Sequence, residues 1–221
     1  PQLIDKSELP VKQGATALGP AGLVAASVYH QPVGVVLCIT PYNFPLTNVA
    51  GKIAPALAMG NTCIIKPAPQ DPLGILRLGE AINDAGFPPG VINIVTSSSS
   101  EVPASMVASK DVNMVSFTGS TNIGREIVRA SASNLKKVQL ELGGKGPNIV
   151  FEDAIIPAAI GGTAFGIFHN QGQACIAASR LILHEKVADQ FMEGFTSLAK
   201  SIRLGDPLDS ETEMGPLTSR V

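Results

Sequence analysis

Between Val33 and Leu140 the sequence returns five times to a short apolar run rich in β-branched residues, and a segment of helical spacing separates each run from the next. Val33–Ile39 (VGVVLCI) contains nothing polar, which predicts a strand buried on both faces. Thr62–Lys66, Val91–Val95, Asn113–Phe117 and Lys137–Leu140 are the further predicted strands. Helices are expected over Asn48–Met59, Leu73–Ala85, Glu101–Ser109 and Asn122–Ala130, with Gly60 and Gly86 as C-terminal glycines of the first two. Strands alternating with helices of this length give an α/β fold, a doubly wound parallel sheet with helices on both faces. In such folds ligands bind beyond the carboxyl ends of the strands.

After Gly143-Gly144 the alternation starts again. Pro147–Phe151 and Arg180–Leu183 read as strands, and Ile155–His169 and Lys186–Ser201 as helices. The expected organisation is an N-terminal segment over residues 1–31, a first α/β domain over 32–145 and part of a second over 146–221. Gly14–Gln31 reads as an extended hairpin turning near Gly19-Pro20-Ala21-Gly22, an arm with little core of its own that needs a partner surface. Ser97–Ser100 reads as a solvated loop. The chain begins at Pro1 and ends at Val221 soon after a turn signal, so it is expected to be a piece of something longer.

Composition narrows the function classes. Sixteen Lys and Arg stand against 18 Asp and Glu, a net charge of −2, which gives no electrostatic attraction to nucleic acid or to an anionic membrane. Hydrophobic residues make up 45% of the chain and charged ones 15%, a balance that supports a large core and excludes disorder. The long uncharged stretch from Gln13 to Gly51 is interrupted by Pro20, Pro32, Pro41 and Pro45, so it does not read as a membrane span. No export signal is visible. Cys38, Cys63 and Cys175 are odd in number, widely spaced and without a CxxC pair. No metal site or disulfide framework is expected, and a reduced, cytoplasmic protein is.

Five places carry candidate chemistry. Cys175 lies in the polar loop Asn170-Gln171-Gly172-Gln173-Ala174, where a thiol is accessible as a nucleophile, although a buried structural cysteine is the alternative. Cys38 and Cys63 sit inside strands and read as small buried hydrophobes. None of His30, His169 and His184 is placed to pair with a cysteine. Glu141 follows a strand and precedes Leu142-Gly143-Gly144; it is either a general base or a solvated charge at the sheet's end. Phe117–Gly124 (FTGSTNIG) runs from a strand through Gly119 and Ser120 into a helix, a place for phosphate or simply for a helix cap; GxGxxG is absent. Asn43, between Pro41 and Pro45, is an oxyanion donor or a turn residue. Lys66 ends the second strand within reach of a ribose or phosphate.

These pieces together resemble the aldehyde dehydrogenase superfamily. PYNFP around Asn43, IIKPA around Lys66, FTGSTNIG around Gly119, LELGGKGPNIV around Glu141 and NQGQACIAASR around Cys175 occur in the family's order and spacing. The resemblance runs from about Gln13 to the end. It implies a Rossmann-like NAD(P)-binding domain followed by the first part of an α/β catalytic domain, with residues 14–31 as an oligomerisation arm in a homo-oligomer.

By the same resemblance, Cys175 attacks an aldehyde to form a thiohemiacetal, and the Asn43 amide with the Cys175 backbone N–H holds the oxyanion. Hydride then leaves for the nicotinamide, and Glu141 activates the water that hydrolyses the thioester to a carboxylic acid. NAD or NADP is the cofactor, with Thr40, Pro41, Lys66, Pro69, Gly119, Ser120, Gly124 and Leu142 expected around it. Phe44, Leu46, Thr47, His169, Ala174 and Ile176 are expected along the aldehyde's path. The family implies about twice this length, and Pro69 stands where many NAD-preferring members carry an acid. A catalytically silent relative and a coenzyme A-acylating member are the alternative readings.

Overall fold

The computed structural model of the chain describes residues 15–16, 19–20 and 30–220. Strand β1 (Ala15–Thr16) pairs antiparallel with β2 (Gly19–Pro20). Gly19 and Pro20 therefore stand in a strand, not in the expected turn; the remainder of the arm, with Ala21 and Gly22, lies outside the described residues.

The first unit then runs β3 (Val35–Ile39), α1 (Pro45–Ala58), β4 (Thr62–Lys66), α2 (Leu73–Asp84), β5 (Ile92–Ile94), α3 (Glu101–Ala108), β6 (Met114–Gly119), α4 (Thr121–Ser131) and β7 (Lys137–Leu142). Its five strands form one parallel sheet in the order β5-β4-β3-β6-β7. The chain moves outward from β3 through β4 and β5, then crosses to β6 on β3's other side. That reversal makes the β3/β6 boundary the switch point, so the crevice opens beyond Ile39 and Gly119.

Side-chain alternation along each strand divides the core. Val36, Cys38, Cys63 and Ile65 pack under α1 and α2 with Val49, Ile53 and Ile75. Leu37, Val115 and Phe117 point the other way, onto Val107 and Ile127 of α3 and α4. Cys38 and Cys63 are fully buried, as their strand context predicts.

Two boundaries differ from expectation in ways that matter for the site. Helix α1 starts at Pro45, three residues early, because proline's fixed φ and missing N–H suit the first helical position. Pro45 thus opens a helix and does not close a rigid turn. Strand β7 continues through Leu142, so Glu141 lies within the strand, in register with Thr118.

The second unit contains the parallel pair β8 (Pro147–Val150) and β9 (Arg180–Leu183). Helices α5 (Ile156–Phe168) and α6 (Glu185–Ser201) pack on it around Val150, Val187 and Phe191. Phe191 is fully buried and stacks on Phe195 at 6.0 Å. Truncating such a side chain costs about 3–5 kcal/mol. A 3-10 turn at His169–Gly172 leads from α5 toward Cys175.

Candidate active site

Asn43 lies in the loop between β3 and α1, at the carboxyl end of a central strand. Its side-chain Nδ2 donates to the backbone carbonyl of Gln173 at 2.7 Å, and Asn170 Nδ2 donates to the carbonyl of Asn43 at 3.0 Å. These reciprocal bonds join the first unit to the loop that carries Cys175. The second N–H of the Asn43 amide remains for a further acceptor. Asn170, Gln171 and Gly172 have φ of 51°, 57° and 73°. Two successive non-glycine residues in the left-handed region cost energy that ordinary loops avoid, and such strain persists only where surrounding contacts over-determine it. Here the contacts are visible: Asn170 bonds two carbonyls, and Thr218 N donates to Gln173 Oε1 at 3.3 Å.

Cys175 itself is exposed, in contrast to Cys38 and Cys63. The glycine pair after β7 passes against its backbone: a Cβ on Gly144 would stand 3.6 Å from the Cys175 carbonyl oxygen. Glu141, exposed and three residues before Gly144, is thereby brought to the same end of the molecule as Cys175 and Asn43. His169 stacks on Phe44 at 5.8 Å and lies tilted against Phe165 at 4.8 Å, an aromatic row beside this loop. Phe44 and His169, both expected along the aldehyde's path, touch each other, and Phe165 extends the row. Leu46 and Ile176 are exposed, at 50% and 86%.

A residue that sequence reading passed over is Lys52. It projects from α1 into the core at 7% exposure, where its Nζ donates to Ser116 Oγ at 3.1 Å. Burial pushes its ammonium below the ordinary lysine range, while Cys38 and Glu141 push the other way. The available signal was that Lys52 is the sole charge in PLTNVAGKIAPALA and falls on the stripe of Val49 and Ile53.

A cavity of about 700 Å³ opens between the β4–α2 loop, the Ser97–Ser100 tract and the helix pair α3 and α4. Ile39, Val107 and Ile127 give it apolar walls, and Lys66 and Pro69 stand at its edge. Lys66 is 5% exposed and donates to the Pro67 carbonyl at 2.9 Å, and burial lowers its pKa. The serine tract, expected to be only a solvated loop, lines this cavity; Ser99 Oγ also accepts from Glu101 N at the start of α3. Gly124 and Leu142 line a smaller cavity of about 280 Å³ beside α4.

Thr40 and Pro41 follow β3, while Gly119 ends β6 and Ser120 caps α4, its Oγ accepting from Ile123 N. A Cβ on Gly119 would stand 2.5 Å from the Phe117 ring, so a side chain in this turn would force the ring to shift. The hydroxyls of Thr40 and Thr118 are buried and without a hydrogen-bond partner. Unpaired buried hydroxyls at a crevice, a helix N-terminus, a buried lysine and an apolar cavity fit a dinucleotide. Among the described residues no cluster of three or more His, Cys, Asp or Glu side chains is placed to hold a metal ion, and no helix is long and apolar enough to cross a membrane.

A profile of the aldehyde dehydrogenase family matches residues 10–221. Hydroxyisobutyraldehyde dehydrogenase of Mycolicibacterium austroafricanum is 44% identical over 95% of this chain and 42% of its own. The crystal structure of PnpE from Pseudomonas sp. WBC-3, solved also with nicotinamide adenine dinucleotide, superposes with a TM-score of 0.88 at 55% identity, covering 98% of this chain and 42% of that one. An E. coli NADP-dependent enzyme gives a TM-score of 0.89 at 40% identity, over 97% and 43%. The chain thus spans about two fifths of the length of the relatives it matches.

Proposed function

The chain belongs to the aldehyde dehydrogenase family, and from that premise we propose that the protein it forms part of oxidises an aldehyde to a carboxylic acid with NAD or NADP. The observation that carries the reading is the hydrogen-bonded junction of Asn43 with the Cys175 loop, which puts an amide donor and an exposed thiol at one strand end.

Cys175 is the nucleophile: its thiolate adds to the aldehyde carbon, and the free N–H of Asn43 with the Cys175 backbone N–H receives the charge that develops on oxygen. Lys66 and the serine tract hold the adenosine side of the cofactor, and Thr40, Pro41, Gly119, Ser120, Gly124 and Leu142 its remainder. When bound, the dinucleotide supplies the hydride acceptor. Glu141 then takes a proton from the water that attacks the thioester on Cys175, and the thiolate leaves. Exposed Glu141 supports water as the acceptor. Pro69 offers no charge at the cavity edge, which supports acceptance of both cofactors.

The substrate is an uncharged aldehyde, admitted past the Phe44–His169–Phe165 row. The arm at residues 14–31 joins subunits of a homo-oligomer. An odd number of cysteines without a CxxC pair supports a cytoplasmic location. The test is Cys175→Ala in the full-length protein, assayed for aldehyde oxidation and for dinucleotide binding by fluorescence titration. Lost oxidation with retained binding is expected; retained oxidation would refute the reading.

A further inference from the structure

The carbonyl that receives the Asn43 amide belongs to Gln173, so the donor's direction depends on where that one peptide group stands. The peptide closes an unfavourable turn. Asn170, Gln171 and Gly172 take φ of 51°, 57° and 73° in succession, and the N–H of Gln173 donates back to the Asn170 carbonyl at 2.9 Å. Glycine adopts such angles freely and asparagine tolerates them, but Gln171 has neither advantage. Strain of this kind persists only where neighbouring contacts over-determine it.

The Gln173 side chain supplies those contacts. Its Nε2 donates to the Asn170 carbonyl and to Gln171 Oε1, each at 3.4 Å, and its Oε1 accepts the Thr218 N–H at 3.3 Å. Glu lacks the donors for this pattern, and Met lacks the donors and the carbonyl oxygen alike. Each bond is long and weak by itself; together they tie the left-handed turn to the end of the segment that follows α6. That segment is braced at its start. Leu204 bridges to Met214, and the N–H groups of Glu213 and Met214 donate to the Arg203 carbonyl at 2.9 Å and 3.1 Å. The chain then returns to Thr218 through Gly215, where a Cβ would stand 3.9 Å from Gln171 Nε2.

We propose that Gln173 is a positioning residue for acylation: its side-chain amide clamps the left-handed turn to residues 215–218, and the clamp holds the Gln173 carbonyl where it aims Asn43 at the developing oxyanion. This rests on the role of Asn43 given above. Thr218 thereby acts on the site through a contact 45 residues along the chain.

The consequence is confined to steps that place charge on the substrate oxygen. Without the clamp the turn relaxes, the carbonyl shifts and the Asn43 donor leaves its line; a misplacement of about 1 Å costs about 100-fold. Alkylation by iodoacetamide is different. The Cys175 thiolate forms a bond to a saturated carbon, iodide leaves, and no oxyanion develops, so the Asn43 donor is not used.

The experiment measures the first turnover of the full-length protein by rapid mixing with aldehyde and oxidised dinucleotide, beside the rate of Cys175 alkylation by iodoacetamide. The variants are Gln173→Met, Asn43→Ala and the two combined. Gln173→Met is expected to slow the burst by about 10-fold to 100-fold and to leave alkylation unchanged. In the Asn43→Ala background it should slow the burst by about twofold at most, because the donor it aims is already gone. Thr218→Pro removes the N–H at the other end of the clamp and should slow the burst in the same way. Thr218 is exposed, so this variant carries the test if Gln173→Met fails to fold. A burst of normal rate, an equal slowing in the Asn43→Ala background, or alkylation that falls in parallel with the burst overturns the proposal. Asn43→Ala separates the two readings: if its burst is near normal, the assigned role of Asn43 falls and this inference with it. If it slows the burst while Gln173→Met and Thr218→Pro do not, this inference alone falls.

Discussion

The Asn43 side-chain amide reaches the Gln173 carbonyl at 2.7 Å across 130 residues of sequence. That single bond ties the carboxyl end of a central strand in the first unit to the loop of Cys175. It also uses one of the two N–H groups of the amide, so the geometry of the other is fixed before any substrate arrives. Prepaid orientation of this kind is what makes a donor effective toward a developing charge.

Asn43→Ala is therefore expected to slow acylation by about 100-fold to 1,000-fold, the range for loss of one oxyanion donor. Asn43→Asp keeps the shape but replaces the donor with a charge and should be at least as slow. Rapid-mixing measurement of the first turnover checks this. Near-normal acylation by either variant would leave Asn43 a loop tie only.

Glu141→Gln should separate the two halves of the reaction. A carboxamide fills the same position in β7 yet cannot accept the proton of an attacking water. A burst of reduced cofactor close to one per site, followed by slow turnover, is the expected trace. Loss of the burst itself would assign Glu141 to an earlier step.

Much of this arrangement was legible in the chain. Thr62–Lys66 and Arg180–Leu183 are strands at the residues their apolar runs indicated, because short β-branched runs flanked by breakers admit little else. Glu141 was read as following its strand because the apolar run ends at Leu140; the ladder with β6 carries β7 two residues further, to Gly119↔Leu142. Pro45 was read with Pro41 as one turn, since a proline marks a turn and a helix start alike. Tertiary facts were less accessible. Nothing local in Ser97–Ser100 says that it walls a cavity, and the Ser116–Lys52 bond spans 64 residues.

Lys66 offers a joint test of stability and of its proposed part in binding. Its folded-state pKa lies below the usual lysine value of 10.5 because the ammonium is buried. The unfolded chain thus binds more protons between the two values, and stability from this group rises with pH through that window. Lys66→Met should raise the thermal midpoint at pH 7, with the gain shrinking as pH approaches 10.5. Dinucleotide binding should weaken about tenfold or more with loss of a charged hydrogen-bond donor. Melting curves at pH 7 and 10, with a binding titration, check both; unchanged binding would remove Lys66 from the cofactor site.

Gly119→Ala tests the turn after β6. The added methyl would stand 2.5 Å from the Phe117 ring, which is itself packed between sheet and helices. A loss of about 1–3 kcal/mol on denaturant unfolding is expected, the usual cost of overpacking. An unchanged midpoint would mean that the ring can move aside.

The central claim is that the substrate becomes covalently attached to Cys175. Full-length Glu141→Gln protein, mixed with an aldehyde and oxidised dinucleotide and quenched in acid, should retain the acyl group for peptide mapping by mass spectrometry. The account predicts an acyl mass added to the peptide containing Cys175, and unmodified peptides for the buried Cys38 and Cys63. An adduct on another residue, or reduced cofactor formed with no adduct at all, would contradict it.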